Sequence, residues 1–236
     1  MTTTITTTEY IYTAVNSMGY DNWWCPCGIS PSNVVAAYRA KGVASYSASL
    51  VNLANPGTYD AIDDGGASSP GWNTTDGWVG GSGKYLRSDI YPSIDQTTTV
   101  IIRFSDMGGP SYICGSKKDL PLAEGYSYYI GDYPMGGNFF IFNGSSEHSV
   151  EIAYQTDGVI CISGNRVYFN GILQSGELIN DGNPQQSAPV NLLGYHLENG
   201  APTNYGEDVK IQAEVWYNVV LTPEQMATVS SAMAAL

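Results

Sequence analysis

Positive charge is scarce in this chain. Nine Lys and Arg stand against 22 Asp and Glu in 236 residues, a formal net charge of −13. A phosphate backbone would be repelled by that balance, which argues against nucleic acid as a partner. Charge of either sign is sparse, at 13% of residues. Polarity comes instead from Ser, Thr, Asn and Gly, which is not the usual surface of a cytosolic enzyme. Long apolar runs are also missing. No stretch approaches the roughly 18 residues that a membrane helix needs, so no membrane insertion is expected. The opening "MTTTITTTEYIYTAV" has neither the basic start nor the apolar core of a secretory signal. The four cysteines are too few for a disulfide scaffold.

Cys25 and Cys27, in "YDNWWCPCGISP", are the only closely spaced cysteine pair. Tetrahedral zinc would need about two further ligands, and Cys114, Cys161, His148 and His196 each stand alone in the sequence. A redox motif needs one more residue between the thiols. Packing of Trp23 and Trp24 is the expected role of this stretch, with a disulfide to a distant cysteine or a metal as alternatives.

The chain has glycine, proline and tyrosine in quantity: 27, 12 and 18 residues. Residues 5–15 alternate β-branched and aromatic positions and suit a strand. That strand either docks on its own domain or reaches a neighbouring subunit, so a homo-oligomer assembled through residues 1–15 is the sharper expectation. Residues 32–40 suggest a short helix closed by Gly42. Residues 51–86 are dense in turn residues and read as loop, with short strands near 76–79 and 84–88. Strands are expected at 98–105, 111–115, 125–131, 138–143, 149–154, 159–163, 165–169, 190–195 and 209–218. Their spacing of roughly ten residues is that of a sandwich or barrel. At the C-terminus Thr222, Pro223 and Gln225 form a helix-start signature, and Met226, Val229, Met233 and Leu236 recur at helical steps.

Two segments carry a resemblance. In "GNRVYFNGILQSG", residues 164–176, Asn170-Gly171 suits a type I′ turn between two strands. In "AEVWYNVVLTPEQM", residues 213–226, a strand runs into a capped helix. Together with "DGWVGGSGKYLRSD", residues 76–89, they resemble the concanavalin A-like, laminin-G-like jelly-roll superfamily. The resemblance covers residues 45–236. It implies an all-β fold: a jelly-roll sandwich of two antiparallel sheets with a short C-terminal helix. Residues 1–44 form an N-terminal segment or arm outside it.

The superfamily holds lectins, adhesion modules, viral and tail proteins, and enzymes. Its glycosidases carry carboxylates at alternate positions of one strand. Glu147 and Glu151 have a fitting separation, but Ser149 occupies the position of the helper carboxylate, and no compact lyase set surrounds His148. No catalytic residue is assigned. Sugars stack on aromatic rings beside a few polar groups, so Tyr126, Tyr128, Tyr129, Asp132 and Tyr133 are the candidate glycan-binding residues. Trp24, Tyr59 and Trp72 are weaker candidates. The resemblance also implies loop calcium sites, for which Asp60, Asp63 and Asp64 supply hard oxygen ligands; the cofactor is calcium or none. The resulting expectation is a non-enzymatic surface or structural protein, viral or phage in kind, that displays a lectin-like domain outside the cell or on a virion. The alternative is a secreted polysaccharide-active enzyme or its binding module.

Overall fold

The computed structural model describes residues 22–26, 28–92, 95–108, 111–117, 126–132, 138–145, 150–153, 155–179, 189–194, 196–197 and 209–236. The side chains of 117, 126–129, 132, 138–140, 142–145 and 196–197 lie outside that description. In chain order the elements are β1 (Val34–Arg39), α1 (Tyr46–Ser49), β2 (Gly71–Asn73), β3 (Gly77–Val79), β4 (Leu86–Arg87), β5 (Thr99–Ser105) and β6 (Tyr112–Lys117). There follow β7 (Tyr126–Asp132), β8 (Asn138–Ser145), β9 (Val150–Ala153), β10 (Gly158–Ser163), β11 (Arg166–Phe169) and β12 (Ile172–Leu173). The chain closes with β13 (Asn191–Leu192), β14 (His196–Leu197), β15 (Lys210–Tyr217) and α2 (Pro223–Ala234).

These strands form two sheets. Sheet A runs β12-β11-β10-β5-β15-β3-β2, with β1 also paired to β15. Sheet B runs β4-β13-β6-β7-β8-β9, with β14 also on β6. Among the described residues every strand pairing is antiparallel except that of β14 with β6. Strands stand where the alternation predicts them from residue 99 onward. The turn between β11 and β12 places Asn170 at φ 49° and Gly171 at φ 78°, the left-handed pair that Asn-Gly was expected to supply.

One expectation is overturned. Residues 34–39 are strand β1 and not a helix. "VVAAYR" has apolar residues that read as either period, and long-range pairing decides: β1 joins β15 from Val34↔Tyr217 to Arg39↔Ala213. Burial on both faces of sheet A favours an extended segment there. The sandwich therefore takes in residues from β1 onward, including part of the 1–44 segment. The proposed arm, residues 1–15, lies outside the described residues.

Sheet A separates two apolar layers. Toward sheet B, Tyr38, Trp78, Ile102, Phe104 and Trp216 meet Ile113, Cys114, Ile130, Ile141 and Leu192. On the other face Ala37, Ile101, Cys161, Val215 and Tyr217 are covered by Met226, Val229 and Met233 of α2 and by Trp23 and Trp24. Full burial of each such aliphatic side chain is worth roughly 1.5–3 kcal/mol. Helix α2 starts in the capping box that the sequence announces, Thr222 with Gln225. Its last carbonyls, Met233 O and Ala234 O, accept from Arg103 Nη1 at 2.7 and 2.8 Å.

Trp23 and Trp24 meet edge to face at 5.6 Å, and Tyr217 Oη donates to the Trp24 carbonyl at 2.7 Å. Cys25 is a free thiol whose Sγ donates to Ile29 O at 3.3 Å, and burial raises its pKa. The stretch closes the outer face of sheet A. Cys27 lies outside the described residues.

β15 changes the parity of its faces at a bulge between Ile211 and Ala213. The bulge leaves the Gln212 carbonyl to accept from both Ala40 N and Lys41 N, at 2.9 and 3.0 Å. Gly77 faces this bulge at φ 82°, where a Cβ would lie 2.3 Å from the Ile211 carbonyl oxygen. Only glycine fits that approach.

The bulge turns Glu214 into the inter-sheet core. It is fully buried, accepts from Trp216 Nε1 through Oε1, and leaves Oε2 without a hydrogen-bond partner. Burial pushes its pKa up to about 8, against the opposing Trp216 N–H. An unfolded glutamate titrates at about 4.3. Between those values unfolding releases a proton, so this group's contribution is full at acid pH and falls by up to about 1.4 kcal/mol per pH unit as pH rises. Glu214→Gln should therefore match the wild type in melting temperature near pH 5 and exceed it near pH 8. Parallel melting curves across that range would contradict the assignment.

Candidate functional site

Residues 50–69 connect the two sheets along one side of the sandwich, and a single amide fixes their path. Asn52 is fully buried. Its Oδ1 accepts from Ala37 N at 2.9 Å and Ala54 N at 3.0 Å. Its Nδ2 donates to Val35 O at 3.0 Å and Thr58 O at 2.7 Å. Leu53 N adds a bond to Ala37 O at 2.8 Å. The edge of β1 that β15 leaves open is thus occupied by the loop. Asp60 closes the turn from within, as its carboxylate accepts from Asn52 N at 2.8 Å and Gly57 N at 3.1 Å.

The far end of the loop is tied to sheet B. Ile62 and Arg87 exchange backbone hydrogen bonds of 2.8 and 3.0 Å as an antiparallel bridge beside β4. That bridge ties the end of the loop to sheet B beside Arg87.

Tyr59 is held at φ 58° and is 43% exposed. The left-handed region costs a bulky residue roughly 1–2 kcal/mol. The conformation is imposed from both sides. The Thr58 carbonyl is bound by Asn52, and the Tyr59 carbonyl accepts the hydroxyl of buried Tyr38. Burial first, and then the charges of Glu214, Asp60 and Asp89, hold the Tyr38 phenol well above its usual range, so it remains a donor. Asp89 also has a left-handed backbone, φ 53°, and Tyr91 is 57% exposed. The Tyr59 ring is therefore exposed on backbone that Asn52 and Tyr38 hold from either side.

Beside it lies an aromatic shoulder. Tyr46 of α1 and Trp72 of β2 have ring centroids 6.4 Å apart, and Trp72 Nε1 donates to Ala40 O at 2.8 Å. Tyr46 Oη donates to Asp63 Oδ2 at 2.8 Å, and Gly65 N and Ser69 Oγ reach Oδ1 at 2.8 and 2.9 Å. Burial disfavours the Asp63 charge, but these donors outweigh it and hold the carboxyl below its usual range.

The chain matches no protein-family model and no curated protein. Solved structures do match. A Trypanosoma rangeli sialidase mutant displaying trans-sialidase activity aligns with a TM-score of 0.56 at 14% identity, over 96% of this chain and 39% of that one. The botulinum neurotoxin serotype D binding domain aligns with a TM-score of 0.55 at 13% identity, over 85% of this chain and 51% of that one. Botulinum neurotoxin type C, whose cell entry is described as dependent upon interaction with two ganglioside molecules, aligns at 0.55 and 11% identity, over 86% and 52%. This chain thus spans well under two thirds of each. At these identities the likeness is one of fold, that of a two-sheet β-sandwich.

Of the residues the sequence singled out, Asp60, Asp63 and Asp64 are not gathered around one point. Asp60 and Asp63 take the donors given above, and Asp64 pairs with Arg87 at 2.9 Å. Among the described residues no group of three or more His, Cys, Asp or Glu side chains is placed to share a metal ion. The backbone of Tyr126, Tyr128, Tyr129 and Asp132 lies on β7, between β6 and β8; their side chains, and all of Tyr133, lie outside the described residues. So do Glu147, His148 and Ser149, whereas Glu151 stands on β9 with its side chain exposed. Trp24 belongs to the core. Sequence reasoning gave Tyr59 a minor place and missed Asp89 and Tyr91. No residue-level signal marks a left-handed tyrosine or aspartate, and only the turn-rich "NPGTYD" hinted at unusual backbone.

Two substitutions separate the scaffold from what it presents. Asn52→Ala leaves Ala37 N and Val35 O unpaired in a buried place and should cost about 2–4 kcal/mol by urea denaturation. Tyr59→Gly relieves the backbone and removes the ring, and should leave stability unchanged or raise it by up to about 1 kcal/mol. A large loss in the glycine variant would mean that the Tyr59 ring is part of the core.

Proposed function

We propose that this chain is a non-catalytic carbohydrate-binding module of jelly-roll type, and that saccharides are recognised at exposed Tyr59, with Asp60, Asp89 and Tyr91 as further candidates. The observation that carries the reading is the exposed Tyr59 ring on a left-handed backbone that Asn52 and Tyr38 hold in place. Phenol rings offer a face for the C–H side of a pyranose, and adjacent carboxylates accept its hydroxyls. A preorganised loop spares the ligand the cost of ordering it. The distant fold likeness to a ganglioside-dependent toxin and to sialidases supports a carbohydrate context. The tyrosines of β7 remain a second candidate patch for the same role. Display on a particle or cell surface, and assembly through residues 1–15, belong to the same reading and rest on the sequence.

The alternative is a glycan-active enzyme, for which the sialidase likeness is the specific support. The described acid with the most elevated pKa, Glu214, is sealed between the sheets away from any sugar.

A stacked ring with no charged partner binds weakly at one site, so the protein should be tested as a tetramer on streptavidin, where avidity raises the signal. On a broad glycan array the tetramer should bind a subset of glycans, and Tyr59→Gly should lower that signal at least about tenfold, the size of a lost stacking contact of about 1.4 kcal/mol. An array with no bound glycan would refute the module. Release of reducing ends or free sialic acid from a polysaccharide and sialoside panel would favour the enzyme.

A further inference from the structure

We infer that the saccharide site is an extended one: the Tyr46–Trp72 pair is a second stacking surface, and one linear oligosaccharide spans it and the Tyr59 ring. The inference rests on the carbohydrate-binding reading above and adds the size of ligand that the site takes.

Backbone contacts limit how far apart the two surfaces lie. Leu50 follows α1 directly, and its carbonyl accepts from Ala61 N at 2.8 Å. The loop that carries Tyr59 therefore leaves α1 and returns to it. Tyr46 stands one helical turn before Leu50, and Tyr59 two residues before Ala61. Chain geometry then keeps the two Cα atoms within about 19 Å of each other, a span that roughly three or four linked pyranose rings cover. A second tie closes the same base, because Tyr46 Oη donates to Asp63 Oδ2 at 2.8 Å just past the end of the loop.

The two surfaces also belong to one buried framework. The Tyr59 carbonyl accepts from Tyr38, whose ring centroid lies 5.8 Å from that of Trp78. Trp78 Nε1 donates to Ser49 Oγ at 2.8 Å, and Ser49 Oγ donates to Tyr46 O at 2.6 Å. Trp72 stands opposite Trp78 in the pairing of β2 with β3. A ligand that touches both surfaces meets groups already held in a fixed relation, which spares it the cost of ordering them.

What the pair shows to solvent suits a sugar. Both rings are half-buried, with centroids 6.4 Å apart and planes tilted by 44°. Their polar atoms are turned to the protein, Trp72 Nε1 to Ala40 O at 2.8 Å and Tyr46 Oη to Asp63. The accessible part of Trp72 is therefore ring carbon, the surface on which the C–H face of a pyranose stacks. The other four tryptophans are no more than 9% exposed, so a probe of tryptophan environment reads contact at Trp72 cleanly.

The test is fluorine NMR of the full chain labelled with 5-fluorotryptophan, titrated with malto-, cello- and chito-oligosaccharides from the monosaccharide to the hexasaccharide. The Trp72 signal is identified by its loss in Trp72→Phe and, independently, by the largest shift between light and heavy water. A tetrasaccharide that binds should move this signal and leave those of the four buried tryptophans in place. It should also bind at least about fivefold more tightly than the disaccharide, the gain of an added stacked ring. Tyr59→Gly should weaken the tetrasaccharide about tenfold, with the Trp72 signal still displaced at saturation. A disaccharide bound as tightly as the tetrasaccharide, or a bound tetrasaccharide that leaves the Trp72 signal unmoved, would overturn the inference and leave carbohydrate binding standing. If only an array glycan binds, that glycan and its shortened forms replace the series and are read in the same way. Binding to none of the series, and to none on the array, would overturn the carbohydrate reading and this inference with it.

Discussion

β15 is the strand from which the layers of this molecule take their positions. It is hydrogen-bonded to β5 along one edge and to β1 and β3 along the other. From Ile211 to Tyr217 every residue is buried. Such a strand cannot leave polar backbone unpaired, and its two ladders meet that demand. The bulge at Ile211–Ala213 lets one strand serve two cores, because it directs Ile211 and Trp216 to the inter-sheet layer and Ala213, Val215 and Tyr217 to the layer under α2. The same irregularity requires Gly77 opposite it and puts Glu214 where burial raises the pKa of its carboxyl.

Function in this account begins where β15's order ends. β1 has one edge on β15, and its other edge would be open were it not for Asn52. One amide group satisfies a backbone N–H and a backbone carbonyl of β1 and reaches into its own loop at Ala54 and Thr58. A loop held by so many bonds at its base can keep Tyr59 in a conformation its side chain disfavours. Local strain at exposed aromatic residues points to a ligand-facing role more readily than to stability.

Much of the sandwich was legible in the sequence because its strands alternate or are continuously apolar and are separated by turn residues. The Asn170-Gly171 turn and the Thr222–Gln225 capping box each follow from a few adjacent side chains, and local chemistry decides them. β1 was misread because "VVAAYR" satisfies a helical pattern as well, and only its pairing with a strand about 180 residues away selects the extended form. The loop was read correctly as loop, but its geometry depends on Asn52 meeting β1 and Ile62 meeting Arg87. Those contacts are long in sequence and carry no local signature, so the constraint on the Tyr59 backbone was invisible. The aspartates of "DAIDDGG" illustrate the converse. Proximity in sequence suggested a shared ion, while the fold sends each carboxylate to a different donor.

Residue-resolved NMR tests the central claim most directly, because it reports where a saccharide touches the protein without relying on a variant. With the protein labelled at tyrosine ring carbons and backbone amides, titration with a glycan that binds should shift the ring signals of Tyr59 and Tyr91 and the amides of residues 57–61 and 88–91. The buried rings of Tyr38 and Tyr217 should stay where they are. Shifts confined to the tyrosines of β7, with the Tyr59 and Tyr91 rings unmoved, would contradict the account and move the site to sheet B.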